Sequence, residues 1–132
     1  MPARVHKTDE EWRRQLGEER YAICRLAATE APGSGRWYGH FDEGTYSCAC
    51  CGAELFGSDD KFRSGCGWPS FSAPVTAEAV TEREDASHGM QRIEIRCANC
   101  DAHLGHRFTD GPPPSGMRYC INSLALDFES RD

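Results

Sequence analysis

Long apolar runs are missing from this chain. No stretch of eighteen apolar residues occurs, and the opening "MPARVHKTDEEW" is too charged for a secretory h-region. The expectation is a soluble, cytoplasmic protein with no membrane partner. Positive charge is also in short supply: 15 Lys and Arg stand against 21 Asp and Glu, a net charge of -6. Such a surface repels phosphate backbones, which argues against nucleic acid as a partner. Apolar residues are sparse as well, at 39% with a mean hydropathy of -0.65. A chain of 132 residues suits one domain, 1–132, and a polar domain of this size often gains stability from a metal or disulfides.

Cysteine, by contrast, is plentiful, with eight in the chain: Cys24, Cys48, Cys50, Cys51, Cys66, Cys97, Cys100 and Cys120. Without an export signal, metal binding or redox chemistry is a better reading than a disulfide framework.

Local signals divide the chain in two. "TDEEWRRQLG" reads as a short helix with Thr8 as cap, Glu11 completing a capping box and Gly17 as the stop. "EERYAICRLAA" reads as a second helical segment with Ala22, Cys24 and Leu26 toward one side, and "TEAPGSGRW" as a loop. From Gly44 onward "TYSC", "AELF", "EAVTERE", "MQRIEIRC" and "RYCINSLALDF" are strand candidates. Ile93, Ile95 and Cys97 alternate with charges, as in a half-buried strand, and "DGPPPSG" is an exposed, stiff loop. The expected fold is mainly β, antiparallel, with a short helical N-terminal arm.

One repeat organises the cysteines. "CACCGAEL" from Cys48 and "CANCDAHL" from Cys97 both fit C-A-x-C-x-A-x-L. The alignment sets Cys50 opposite Asn99, leaving Cys48, Cys51, Cys97 and Cys100 as the matched set. Two C-x-x-C pairs supply four thiolates, which suits one tetrahedral, structural zinc per chain. Residues 52 to 96 separate the pairs, a cost that grows only logarithmically with loop length. Two dithiol redox pairs are the competing reading. His103 and His106 of "HLGH" then have three possible uses: extra zinc ligands, ordinary core or surface histidines, or a catalytic site beside the zinc.

Cys120 stands alone in "RYCINS". In a strand, Arg118, Cys120 and Asn122 share a face, and a guanidinium beside a thiol favours the thiolate. Cys120 reads as a nucleophile in preference to a small buried hydrophobe. Cys66 in "SGCGWPSF" is flanked by glycines, with Trp68 and Phe71 nearby. It is either a resolving thiol or a turn cysteine packed for shape.

Taken together, "SGCGWPSF", "HGMQRIEIRC", "HLGHRF", "GMRYCINS" and the two knuckles resemble the B-type methionine sulfoxide reductases over about Tyr21 to Phe128. That resemblance implies coiled antiparallel sheets, a structural zinc, reduction of the R epimer of methionine sulfoxide, oxidative-damage repair and thioredoxin as reductant. It implies Cys120 as nucleophile and Cys66 as resolving cysteine; Cys24, in the N-terminal arm near Gly33, is the rival for that second role by its position. Trp68 corresponds to the wall that receives the sulfoxide methyl. His103, His106, Asp110, Arg118 and Asn122 correspond to polar positions lining or supporting the pocket. Gly33, Arg63 and Arg107 depart from the family's usual residues, which bears on the loop over the pocket, charge pairing and reductant docking. Two other classes compete: a zinc-stapled binding module without catalysis, and a zinc hydrolase or deaminase, which needs an open zinc position.

Overall fold

The computed structural model describes residues 7–86 and 92–130. Helix α1 (Asp9–Leu16) starts on Thr8, whose hydroxyl accepts from the Glu11 N–H while the Glu11 carboxylate accepts from the Thr8 N–H, the expected capping box. Gly17, at φ 83°, ends α1 and opens α2 (Glu18–Leu26). α2 buries Tyr21, Ile23 and Cys24. Leu26 is 62% exposed, so the apolar side expected around Ala22 and Leu26 is corrected to one built on Tyr21.

Among the described residues nine strands follow: β1 (Gly44–Cys48), β2 (Glu54–Gly57), β3 (Lys61–Phe62), β4 (Ser70–Phe71), β5 (Val80–Asp85), β6 (Arg92–Cys97), β7 (His103–Phe108), β8 (Arg118–Ile121) and β9 (Leu126–Ser130). They form two antiparallel sheets, one in the order β2-β1-β9 and one in the order β3-β4-β8-β7-β6-β5. The fold is mainly β with a helical N-terminal arm, as expected. Met90 and Gln91 of the expected strand "MQRIEIRC", with the "HG" before it, lie outside the described residues.

"RYCINSLALDF" is not one strand. A 3-10 turn over Ser123–Ala125 breaks it, sending β8 to the six-stranded sheet and β9 to the three-stranded one. The two sheets are therefore joined covalently just after Cys120. Tyr46, Phe56 and Phe71 fill the space between them, with Phe56 stacked on Phe71 at 4.5 Å between ring centres. Strand β7, which the sequence reading did not assign, is central to the larger sheet. Its Gly105 is required there: a Cβ would fall 1.9 Å from the Cys120 carbonyl oxygen of β8.

Candidate active site and metal centre

The two knuckles fold alike. Cys48 ends β1 and Cys97 ends β6. In each, the cysteine N–H donates to the alanine carbonyl five residues on, from Cys48 to Ala53 at 2.8 Å and from Cys97 to Ala102 at 2.9 Å. In each, a left-handed residue donates back to the first cysteine's carbonyl: Gly52 at φ 81° and Asp101 at φ 66°. Each helix then ties down one knuckle, Gln15 Nε2 donating to the Cys50 carbonyl at 2.8 Å and Arg25 Nη1 to the Cys100 carbonyl at 3.0 Å.

This geometry brings the Cys48, Cys51, Cys97 and Cys100 sulfurs within 4.8 Å of one another. Cys48 and Cys100 are 3.6 Å apart, as are Cys51 and Cys97. A tetrahedral zinc with Zn–S bonds of ~2.3 Å requires edges of ~3.8 Å. The donor set fits such an ion, and the cluster staples the three-stranded sheet to the β6–β7 hairpin. Cys50, His103 and His106 are not part of this group. Neighbouring thiols, Cys100 first, and burial push the Cys48 thiol up, so the four cannot all ionise side by side without a cation among them.

A second centre lies across the middle of the larger sheet. Cross-strand register places Glu94 opposite His106, His106 opposite Cys120 and Cys120 opposite Ser70. These four buried polar residues make one row over β6, β7, β8 and β4. Beside Cys120 the turn carrying Cys66, with Gly65 at φ 77° and Gly67 at φ 99°, approaches β8. The Cys66 and Cys120 sulfurs stand 3.0 Å apart. Arg118 Nη1 donates to the Cys120 sulfur at 2.9 Å, so the expected shared face of Arg118 and Cys120 is present. Ser64 Oγ donates to the Cys66 sulfur at 3.0 Å, and Ser70 Oγ lies 3.3 Å from it.

The expected lowering of the Cys120 thiol by Arg118 does not prevail. Burial, then the adjacent Cys66 sulfur, push Cys120 up to about 12 against the pull of Arg118. Burial also works against Cys66, but hydrogen bonds from Cys120, Ser64 and Ser70 outweigh it and bring that thiol down to about 7. Two sulfurs in contact titrate as one unit. The pair gains its first negative charge at about 7 and resists a second until about 12.

Beside the pair opens a cavity of about 230 Å³ lined by Trp68, Phe108, His106, Arg118, Cys120 and Asn122, with Cys66 at its edge. One backbone unit of the N-terminal loop fixes two of these walls. The Glu30 carbonyl accepts from the Trp68 indole Nε1 at 3.0 Å, and the Glu30 N–H donates to Asn122 Oδ1 at 3.0 Å. Asn122 also donates to the Leu104 carbonyl. Asp110 holds Arg118 through both carboxylate oxygens, at 2.8 and 3.3 Å. His106 Nε2 meets Asp85 Oδ2 at 2.7 Å, and His103 Nδ1 meets Glu94 Oε2 at 2.7 Å. His106 lines the cavity, whereas His103 is buried behind it. Cys24 is 1% exposed in α2; among the described residues, the cysteine sulfur that meets Cys120 is that of Cys66.

Residues 16–130 match the SelR domain. Curated relatives are similar over nearly the full chain. The peptide methionine sulfoxide reductase MsrB of Pseudomonas putida (strain W619) is 57% identical over 129 residues, covering 98% of this chain and 97% of its own. That of Azotobacter vinelandii is 56% identical over 129 residues, covering 98% and 97%. That of Thioalkalivibrio sulfidiphilus is 58% identical over 123 residues, covering 93% and 90%.

The chain belongs to this reductase family.

The three positions expected to depart from the family's usual residues, Gly33, Arg63 and Arg107, each have a defined setting here. Gly33, at φ 76°, donates its N–H to the Gly67 carbonyl at 2.6 Å, so the N-terminal loop rests directly on the Cys66 turn. Arg107 forms a two-point contact with Glu82, at 2.7 and 3.3 Å. Arg63 stacks over Phe41 at 4.5 Å. Sequence reasoning missed Ser64, Ser70, Asp85 and Glu94. Ser64 and Ser70 are the two serines of the quoted motif "SGCGWPSF" itself and were open to suspicion. Asp85 and Glu94 reach the histidines only through strand pairing, and Glu94 was expected on a solvent-facing side.

Proposed function

We propose that this protein reduces the R epimer of methionine sulfoxide, free or within proteins, to methionine, as an oxidative-damage repair enzyme. The observation that carries the reading is the Cys66–Cys120 sulfur pair, 3.0 Å apart, at the side of a Trp68-walled cavity of about 230 Å³. Domain 1–132 acts as one unit, and the relatives' printed name supplies the substrate class.

The sulfoxide methyl packs on Trp68, an apolar face beside polar groups that suit the oxygen. Cys120 passes its proton to the Cys66 thiolate in contact with it and, with Arg118 beside the charge, attacks the sulfoxide sulfur. Burial lowers the His106 pKa, so at neutral pH the ring is uncharged. With Nε2–H given to Asp85, its Nδ1 is an acceptor. His103 Nδ1 meets Glu94, and among the described residues its Nε2 meets no partner. His106, which lines the cavity, therefore suits holding a water against the sulfoxide oxygen, and the proton that oxygen takes up comes from solvent relayed through that water. Methionine leaves and Cys120 carries a sulfenic acid. Cys66 attacks that sulfur, water departs and a disulfide remains. Thioredoxin restores both thiols by exchange.

Zinc is the ion proposed for the four-cysteine cluster. With four thiolates it has no open position for water or substrate, so its contribution is structural, and hydrolase chemistry does not suit it. A binding module without catalysis leaves the sulfur pair and its arginine without a use. A cytoplasmic setting suits a chain whose cysteines are read as zinc ligands and redox thiols in place of a disulfide framework.

Incubation with dithiothreitol and each epimer of methionine sulfoxide, with methionine read by chromatography, tests the reading. The R epimer is expected to turn over and the S epimer to persist. Equal turnover of both rules out a pocket that fixes the oxygen by seating the methyl on Trp68.

A further inference from the structure

Cys66 faces two openings. One is the cavity already described; the other is a groove of about 490 Å³ on the outer side of its turn, lined by Arg63, Ser64, Cys66, Asp110, Pro112 and Arg118. Cys120 lines the inner cavity and does not line the outer groove. Cys66 is half-buried, whereas Cys120 is 9% exposed. A molecule in the outer groove thus meets Cys66 and not Cys120.

The charge of this groove differs from that of the whole chain, which is -6. Arg118 and Asp110 neutralise each other through their two-point contact. Arg63 is exposed, stacks on Phe41, and among the described residues makes no ion pair with a carboxylate. The groove therefore carries one uncompensated cation beside a reactive sulfur.

We propose that Arg63 makes this outer groove selective for thiol reductants that carry negative charge beside the thiol as they approach Cys66. The proposal rests on the Cys66–Cys120 disulfide of the function proposed above. The reductant's thiolate attacks the Cys66 sulfur in line with the sulfur–sulfur bond. That bond breaks, and its electron pair leaves on Cys120, where the Arg118 guanidinium is placed 2.9 Å away to receive the charge. A mixed disulfide now joins the reductant to Cys66. A second thiolate of the reductant displaces Cys66, giving the oxidised reductant and two free cysteines, which take up protons from solvent. Because the two openings are separate, methionine can still occupy the inner cavity while the reductant enters.

Three small thiols test this: 3-mercaptopropionate (anionic), 2-mercaptoethanol (neutral) and cysteamine (cationic). Diamide forms the disulfide without any sulfoxide, so failure of the sulfoxide chemistry would leave the measurement intact. Rates of disulfide reduction, compared per thiolate, give the ratio of the anionic to the cationic thiol, and comparing proteins cancels intrinsic nucleophilicity. In Arg63→Glu that ratio is expected to fall on the order of tenfold at low salt, with the difference shrinking as salt screens it. Arg63→Lys should keep the ratio of the parent protein. Mapping the mixed disulfide after an N-ethylmaleimide quench should place it on Cys66. The same ratio in all three proteins overturns the role of Arg63, and an adduct on Cys120 overturns entry through the groove.

Discussion

Arg118 joins Cys120 to Asp110: its Nη1 lies 2.9 Å from the Cys120 sulfur, while its Nε and Nη2 are held by Asp110 at 2.8 and 3.3 Å. The guanidinium is thereby fixed in place before any charge forms on sulfur. Its own pKa rises for the same reason, Asp110 first.

Removing this cation should make the sulfur pair harder to ionise. In the parent protein, alkylation by iodoacetamide should rise with pH through about 7, where the pair gains its first negative charge. In Arg118→Ala that rise should move upward by about one pH unit, equivalent to ~1.4 kcal/mol. The sign follows from the cation favouring the ionised pair, so its loss demands a higher pH. An unmoved alkylation curve would assign Arg118 to substrate or scaffold alone.

The parts of this site that sequence revealed are those written in local patterns. The capping box at Thr8 and Glu11, the paired knuckles and the Arg118–Cys120 face each depend on residues a few positions apart. Strand β7 escaped because Gly105 and its flanking histidines lack a strand's usual composition. The glycine is there to let the Cys120 carbonyl approach, a reason held in another part of the chain. "RYCINSLALDF" read as continuous because its apolar alternation survives the turn at Ser123–Ala125. The Asp85–His106 and Glu94–His103 contacts depend on β5, β6 and β7 lying side by side, and no spacing rule encodes that.

The knuckle cluster should govern stability more than chemistry. Metal analysis should find one zinc per chain. Cys48→Ser or Cys100→Ser should lower the melting temperature by about 10 °C or more, because metal-binding free energy is folding free energy when the site forms only in the native state. Metal-free, active protein whose variants melt normally would remove zinc from this structure.

Cys66→Ser separates the two cysteine roles. It should form about one methionine per chain in a single turnover and then stop with thioredoxin, while dithiothreitol, being small, should restore cycling. Full thioredoxin-dependent cycling by this variant, with a mapped Cys24–Cys120 bond, would transfer the resolving role to Cys24. That exchange requires α2 to release a cysteine that is now 1% exposed and bring it within ~7 Å of Cys120, measured between Cα atoms.

The most direct measurement follows the sulfurs themselves. Reduced protein, freed of small thiols, is mixed with one equivalent of R-sulfoxide, quenched with an alkylating agent and mapped by mass spectrometry. One methionine per chain together with a Cys66–Cys120 disulfide is expected, and Cys120→Ser should give neither. Methionine formed by Cys120→Ser, or formed by the parent protein with both cysteines still free to be alkylated, would contradict Cys120 as nucleophile and Cys66 as its resolving partner.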